Sequence, residues 1–198
     1  ALKFGLKTID GEVTEVDFSN RPFTAKINDG KTVIKADTVI ICTGASARYL
    51  GLPDEQKYLG LGVSACATCD GFFYRKRVVA VVGGGDTACE EALYLSSLAS
   101  KVYMIVRKDY LRASKVMQSR VMQNEKIEVL FNTNTLGLFG EDALEGAHLV
   151  RHKGEPDEEK FDIKIDGFFL AIGHKPNTEI FKGVIDLDEA GFIRTEGK

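Results

Sequence analysis

The chain has 198 residues, of which 44% are hydrophobic and 28% charged, with 20 Gly and 4 Pro. This is the composition of a globular protein, and it excludes a disordered, collagen-like or low-complexity chain. The net charge of -3 gives no overall attraction to nucleic acid, so any anion site must be local. No apolar run reaches the roughly 18–20 residues of a membrane span, and the first residues lack the pattern of a signal peptide.

The four Cys are too few for a disulfide scaffold. Without a secretory signal we expect them in a reducing compartment, the cytoplasm. The chain does not begin with Met, and its ends have the character of interior β-structure, which suggests a piece of a larger protein. Its length fits one domain and part of another.

Short β-rich runs separated by turns fill residues 1–42. They predict three half-buried strands, at Val13–Phe18, Phe23–Ile27 and Thr32–Lys35. The apolar run Val39–Cys42 predicts a buried strand that stops at a ligand-facing turn, Thr43-Gly44-Ala45. Residues 46–62 show no periodicity and are expected to form a linker.

A strand–helix–strand–helix–strand pattern follows. Its strands are expected at Val78–Val82, Lys101–Val106 and Ile127–Phe131, and its helices at Asp86–Ala99 and Ser114–Asn124. The apolar face of the first helix consists of Ala88, Ala92, Leu95 and Ala99. The predicted fold class is α/β, with a Rossmann-like parallel sheet. Residues 133–165 predict a β-meander or hairpins, and Gly167–Ile172 predicts a further apolar strand before Gly173.

A glycine-rich loop joins the first of these strands to its helix. In a G-x-G-x-x-A loop the glycines permit a tight turn and close backbone approach, and the helix N-terminus offers N–H groups to phosphate. The loop therefore predicts a dinucleotide site, and the alternative is a tight turn without a ligand. The predicted contact residues are Gly83, Gly84, Gly85, Asp86 and Thr87.

Basic residues follow the second strand of this pattern. An NAD site would place an acid there to bind the ribose. Asp109 follows two cations and is a poor ribose ligand, whereas Arg107, Lys108 and Arg112 suit the 2′-phosphate of NADPH. The alternative is a solvated basic loop.

A Cys-x-x-Cys motif, Cys66 to Cys69, precedes the glycine-rich loop. Two thiols at this spacing can form a disulfide and store two electrons. Asp70 is a candidate general acid for the leaving thiolate, provided that it is protonated during the cycle or acts through water. The alternatives are a zinc site with His148 and His152, whose spacing from the cysteines is unusual, and a thioredoxin-type active site. We expect no metal.

Other candidate residues receive simpler interpretations. Cys42 and Cys89 are expected to be inert buried thiols. Phe72 and Phe73 follow the dithiol, and we favour a core location for them. The alternative is a docking ridge for a protein partner whose disulfide must reach Cys66.

Hydride from a nicotinamide reaches a disulfide poorly without a flavin between them, so the two motifs together imply a flavin. Two strand-end turns are candidates to approach its ring, Thr43-Gly44 and Ile172-Gly173.

Taken in order, these motifs resemble those of bacterial-type, low-molecular-weight thioredoxin reductases. The matching segments are residues 38–45 (TVIICTGA), 66–71 (CATCDG), 83–88 (GGGDTA), Arg107-Lys108 with Arg112, and 171–174 (AIGH). The chain departs from the family's pattern in lacking the N-terminal FAD-binding G-x-G-x-x-G and the later Gly-Asp flavin motif. It also has Val106 where a His is usual.

The resemblance implies a domain arrangement. Residues 1–45 and 176–198 would be parts of an FAD-binding domain, and residues 46–175 the NADPH-binding domain inserted in it. It implies that the domains rotate about segments near 43–48 and 173–177. It also implies a homodimer of the full-length protein.

The resemblance further implies roles for the dithiol. Cys69 would lie nearer the FAD, Cys66 would attack thioredoxin, and Asp70 would serve as the acid. The alternatives are the reductase subunit of a peroxide-reducing system and an NADPH-binding fragment without turnover of its own. We expect these 198 residues to bind NADPH without turning over thioredoxin alone.

Overall fold

The computed structural model describes residues 2–195. The strands are β1 Val13–Asp17, β2 Phe23–Ile27, β3 Thr32–Ala36, β4 Ala45–Ala47, β5 Val63–Ser64, β6 Val78–Val82, β7 Lys101–Ile105, β8 Ile127–Leu130, β9 Thr133–Phe139, β10 Gly146–Arg151, β11 Glu159–Lys164, β12 Gly167–Leu170 and β13 His174–Pro176. The α-helices are α1 Ala67–Asp70, α2 Asp86–Leu98 and α3 Lys115–Met122. Short 3-10 turns lie at Leu2–Phe4, Gly71–Tyr74 and Glu179–Phe181.

The chain divides into two compact units. The first comprises the described residues through Ser46 together with those from Lys175 onward, and the second is residues 47–174. In the first unit β1, β2 and β3 form an antiparallel sheet, with Val16 opposite Ala25 and Thr24 opposite Lys35. All three strands lie where the sequence predicts them.

The predicted buried strand at Val39–Cys42 is wrong. This segment has no strand structure, Val39 and Ile40 are 44% and 88% exposed, and Cys42 is an exposed free thiol. An apolar run becomes a buried strand only where neighbouring strands cover it. The described part of the first unit pairs β1, β2 and β3 with one another and offers this run no partner.

The second unit is built on a parallel sheet with strand order β5–β12–β6–β7–β8. Its strands are apolar because both faces are covered. On one face Val79 and Val81 pack against the helices, where the predicted apolar side of α2 is buried. On the other face Ala80 and Val82 join a second cluster. The α/β class with a Rossmann-like sheet is thereby confirmed.

The second face is covered by an antiparallel meander of order β11–β10–β9, in the predicted region. Its buried side chains include Leu138, Ala147 and Leu149. The segment expected to be a linker also packs here, because the Tyr58 side chain is 2% exposed and its hydroxyl donates to the Gly140 carbonyl over 2.7 Å. The linker expectation is therefore wrong for residues 52–58.

Candidate functional site

A cavity of about 590 Å³ opens in the second unit at the carboxyl ends of β6 and β7, beside the start of α2. This edge is where open parallel sheets bind ligands. Predicted residues that line the cavity are Gly83, Gly84, Gly85, Thr87, Arg107, Lys108, Arg112, Ile172 and Gly173. Further lining residues, which no sequence motif indicates, are Arg48, Tyr49, Leu50, Tyr110, Thr133, Asn134 and Thr135.

The three glycines of the loop have different reasons to be glycine. Gly83 has φ +141°, and a Cβ there would collide with the Ala171 carbonyl oxygen. Gly85 caps α2 at φ -91°, and a Cβ there would meet nothing within 4 Å. Packing within the chain therefore requires glycine at Gly83, whereas at Gly85 it leaves open space that a bound group can occupy.

The backbone carbonyl of Gly84 holds the loop that carries Arg112, the third cation of the cavity. It accepts the N–H of Arg112 over 2.7 Å and the N–H of Ala113 over 3.2 Å. Arg107, Lys108 and Arg112 are exposed, and within residues 2–195 no carboxylate pairs with them. The cavity therefore concentrates positive charge that the chain itself leaves available to an anion.

Asp86, a predicted nucleotide contact, makes a hydrogen bond within the protein instead. Its carboxylate accepts the backbone N–H of Ser114 over 2.9 Å, across 28 positions of sequence. This hydrogen bond lowers the pKa of Asp86. Asp86 therefore links the start of α2 to the start of α3, and its side chain is absent from the cavity wall that the described residues form.

Two missed features shape the cavity wall. The Thr135 hydroxyl is buried without a hydrogen-bond partner among the described residues. Glu55, 2% exposed, accepts the N–H groups of Leu50, Gly51 and Leu52 over 2.8–3.0 Å. A lone Glu in an aperiodic stretch gave no local signal that it closes a turn.

The dithiol lies at the start of α1. Cys66 and Cys69 form a disulfide, and the Cys69 N–H donates to Cys66 Sγ over 3.2 Å. Cys66 is half-buried and Cys69 exposed. The Ser64 hydroxyl accepts the Cys66 N–H over 3.0 Å and donates to Asp70 Oδ2 over 2.6 Å. Ser64, which no sequence motif indicates, therefore joins the predicted acid Asp70 to the dithiol backbone.

A partly buried acid on α2 was also missed. Glu91 lies on α2, which packs against α1, and its Oε2 atom is buried without a hydrogen-bond partner among the described residues. Burial raises the pKa of Glu91 to about 6, although the Ala67 N–H acts in the opposite direction.

The alternative zinc site is not assembled. His148 contacts Asp162 over 2.7 Å and His152 contacts Asp157 over 2.5 Å, while the two cysteines are bonded to each other. Among the described residues, the group that could hold a metal ion is His152 with Glu155 and Asp157, without a cysteine.

The remaining predictions concern Cys89 and the aromatic pair Phe72 and Phe73, and only the first is confirmed. Cys89 is fully buried as predicted, and burial raises its pKa to about 11. The favoured core location of Phe72 and Phe73 is wrong, because these side chains are 61% and 73% exposed. They follow α1 on a short 3-10 turn, and the Arg75 guanidinium lies over the Phe72 ring.

Comparison with known proteins adds the family. The family model described as pyridine nucleotide-disulphide oxidoreductase matches residues 1–198. The chain belongs to the pyridine nucleotide-disulphide oxidoreductases.

The similarity to thioredoxin reductases that the motifs indicate is confirmed. The thioredoxin reductase of Coxiella burnetii is 50% identical over 99% of this chain and 61% of its own length. The mitochondrial thioredoxin reductase of Kluyveromyces lactis is 47% identical over 98% of this chain and 56% of its own length. The solved thioredoxin reductase of Streptococcus pyogenes has a TM-score of 0.81 at 34% identity, covering 98% of this chain and 62% of that chain.

This member of the family thus spans 56–62% of the length of these relatives. The predicted contact residues Thr43 and Gly44 belong to its first unit, whereas the cavity residues belong to the second. Asn177 donates to both of their carbonyls, from its side chain to Thr43 over 3.0 Å and from its backbone to Gly44 over 3.0 Å. Among residues 2–195, no helix is long and apolar enough to cross a membrane.

Proposed function

We propose that this chain is the nucleotide-binding and dithiol-bearing part of an NADPH-dependent flavoprotein that reduces the disulfide of thioredoxin. Such an enzyme is a thioredoxin-disulfide reductase. One observation carries the proposal: residues 47–174 combine a Cys66–Cys69 disulfide with a glycine-rich, cation-lined cavity. That combination supplies a binding site for a two-electron donor and a two-electron acceptor.

The cavity residues fit NADPH. The open space beside Gly85 and the start of α2 suit the pyrophosphate, because α2 begins without a side-chain cap and a helix N-terminus offers backbone N–H groups to an anion. Arg107, Lys108 and Arg112 suit the 2′-phosphate. When bound, NADPH would supply two electrons as a hydride. The unpartnered Thr135 hydroxyl is a further candidate donor to the bound nucleotide.

We assign the first unit, predicted as 1–45 and 176–198, to the FAD-binding domain, and the predicted 46–175 to the NADPH-binding domain. Thr43 and Gly44 are the proposed flavin contacts of the first unit, and Ile172 and Gly173 are proposed cofactor contacts of the second. The family resemblance supports this assignment. FAD would supply electron transfer between hydride and disulfide.

The proposed chemistry of the dithiol is thiol–disulfide exchange. Once reduced, the Cys66 thiolate attacks one sulfur of the thioredoxin disulfide, and the other sulfur leaves as a thiolate that takes a proton from Asp70. The Cys69 thiolate then attacks Cys66 Sγ, which releases reduced thioredoxin and re-forms the Cys66–Cys69 disulfide. The Ser64 hydroxyl holds the Asp70 carboxylate beside this turn.

Thioredoxin is the proposed partner, and exposed Phe72 and Phe73 are its proposed docking ridge. Large apolar side chains next to the reactive disulfide would bury area on binding. A homodimer of the full-length protein and a cytoplasmic location complete the proposal, which rests for both on the sequence and the family resemblance.

Removal of Arg107 and Arg112 tests whether the cavity prefers NADPH to NADH. Charge-assisted hydrogen bonds contribute about 1.5–3 kcal/mol each, so two partly solvated ones give a preference for NADPH over NADH on the order of 10²–10³. In the Arg107→Ala/Arg112→Ala variant we expect this preference to fall close to one, with NADH affinity nearly unchanged. Fluorescence titration with both nucleotides measures it.

Arg120→Ala is the matched control, since Arg120 is exposed on α3 and absent from the cavity wall. It should keep the preference of the unaltered chain. An unchanged ratio in the double variant would contradict the 2′-phosphate role. Steady NADPH oxidation coupled to thioredoxin by these 198 residues alone would contradict our expectation that the chain binds without turnover.

A further inference from the structure

Ser64 is a buried polar residue at the carboxyl end of β5, where it is 6% exposed. The parallel sheet holds it in place, since β12 pairs with β5 and Phe169 lies opposite Ser64. A buried hydroxyl has to find partners for its one proton and its lone pairs within the chain. The partners that Ser64 has found therefore indicate its role.

The Ser64 hydroxyl connects the two ends of the dithiol turn. It accepts the Cys66 N–H over 3.0 Å and donates its proton to Asp70 Oδ2 over 2.6 Å. The Cys66 carbonyl is a second possible acceptor, but it lies 3.4 Å away. Because hydrogen bonds between oxygens are favourable at about 2.7–2.8 Å, the serine proton belongs to Asp70.

This hydrogen bond makes the two oxygens of Asp70 unequal. Oδ2 accepts the serine proton, whereas Oδ1 has no hydrogen-bond partner among the described residues. A carboxyl proton on Oδ2 would have to point at Ser64, and the serine proton would then be left with the distant Cys66 carbonyl. In the neutral acid the proton is therefore better placed on Oδ1.

We propose that Ser64 is a positioning residue for Asp70: by occupying Oδ2, it makes Oδ1 the oxygen that exchanges a proton with the sulfur atoms. The proposal rests on the proposed function, in which Asp70 is the acid of the dithiol. A carboxyl group that could turn freely would present either oxygen, and a fixed orientation removes this loss.

The proton balance of the exchange follows from this arrangement. The Cys66 thiolate bonds to one sulfur of a disulfide, the S–S bond breaks, and the leaving thiolate takes the proton from Asp70 Oδ1. The Asp70 carboxylate then takes the proton of the Cys69 thiol. The Cys69 thiolate attacks Cys66 Sγ, and the second leaving thiolate receives that proton from Oδ1. Two thiols are released, and the chain is left with the Cys66–Cys69 disulfide and an ionised Asp70.

Two disulfides of different leaving-group basicity test the role in proton transfer. Dithiobis-nitrobenzoate releases a weakly basic aromatic thiolate that leaves without a proton, whereas bis(hydroxyethyl) disulfide releases a strongly basic thiolate that needs one. Dithiothreitol first reduces the Cys66–Cys69 pair, is itself oxidised to its cyclic disulfide, and is then removed. Acid quenching and mass spectrometry of peptides follow the re-formation of the pair apart from Cys42 and Cys89.

The unaltered 198-residue chain is compared with variants at three positions. Ser64→Ala removes the hydroxyl, Ser64→Thr keeps one, and Asp70→Asn removes the acid. Ser97→Ala is the matched control, because Ser97 is exposed on α2 and its hydroxyl donates to the Tyr94 carbonyl.

We expect Ser64→Ala to re-form the disulfide about tenfold more slowly with bis(hydroxyethyl) disulfide, since a positioned general acid contributes roughly 10²–10⁴-fold. With dithiobis-nitrobenzoate its rate should stay within about twofold of that of the unaltered chain, because this thiolate leaves without a proton. Ser64→Thr should recover most of the lost rate, and Ser97→Ala should match the unaltered chain with both reagents. A merely structural role would slow the reactions with both reagents alike.

Equal slowing with both reagents in Ser64→Ala, or slowing with neither, would overturn the role of Ser64. The proposed function would still stand if Asp70→Asn selectively slowed the reaction with bis(hydroxyethyl) disulfide. If Asp70→Asn reacted with both reagents as the unaltered chain does, the acid of the proposed function and the role of Ser64 would both fail.

A measurement on the unaltered chain serves if Ser64→Ala does not fold. In an equal mixture of H₂O and D₂O, a hydroxyl that exchanges slowly gives two NMR resonances at its carbon, one for each isotope. The buried hydroxyl of Ser64 should give this doubled signal at Cβ in the reduced chain, and exposed Ser97 should give one averaged signal. One averaged signal at Ser64 would overturn the proposal.

Discussion

Two single residues of the glycine-rich loop serve different purposes: folding requires glycine at Gly83, and ligand binding uses the open space at Gly85. Ala at Gly83 would meet both a positive φ and the Ala171 carbonyl, whereas Ala at Gly85 meets neither. We expect Gly83→Ala to lower the free energy of unfolding of the second unit by at least about 2 kcal/mol. Gly85→Ala should keep stability and weaken NADPH binding, because its methyl group fills the open space.

Thermal denaturation and nucleotide titration of both variants measure the two effects. Gly85→Ala is the control for Gly83→Ala in stability, because it adds the same methyl group without a clash. Undiminished NADPH affinity in Gly85→Ala would contradict the placement of the pyrophosphate beside this residue.

At the scale of elements, one buried acid holds the turn that carries Tyr49 and Leu50 to the cavity wall. Both oxygens of Glu55 accept N–H groups, and in Glu55→Gln an amide NH₂ replaces one acceptor and faces a donor. We expect a loss of about 1–3 kcal/mol in stability and faster amide exchange at residues 50–52. Hydrogen exchange checks it.

Glu141→Gln, at an exposed acid elsewhere in the same unit, provides the comparison. It should leave exchange at residues 50–52 as it is in the unaltered chain. Equal protection of these amides in the Glu55→Gln variant would show that the turn is held by other contacts.

The elements differ in how far the sequence predicts them. The βαβαβ region and the meander were predictable because their apolar periods are local properties of each segment. The exposure of residues 39–42 and of Phe72-Phe73 was not predictable, because long-range packing decides whether an apolar segment is covered. The aperiodic segment around Tyr58 was predicted to be a linker, but contacts with residues far along the chain bury Tyr58.

The same distinction applies to the candidate site. Glycine and arginine positions could be predicted because backbone approach and charge belong to a contiguous motif. Ser64, Glu91 and Thr135 could not, since each acquires its meaning from a partner, or from the absence of one, after folding. Asp86 shows the reverse, for it belongs to the motif and yet its carboxylate contacts Ser114.

At the scale of the whole molecule, both hydrophobic clusters consist of residues between 47 and 174. The second unit therefore carries its own core, and we expect a chain of residues 47–174 to fold and to bind NADPH within about twofold of the 198-residue chain. Circular dichroism and nucleotide titration measure this. A fragment that stays unfolded would contradict the independence of this core.

The ends of that unit meet, since the Arg48 N–H donates to the Gly173 carbonyl over 3.0 Å. The two ends of such a segment lie as close together as the two ends of a short surface turn. Its gene segment can enter or leave another gene without spreading the host's backbone apart.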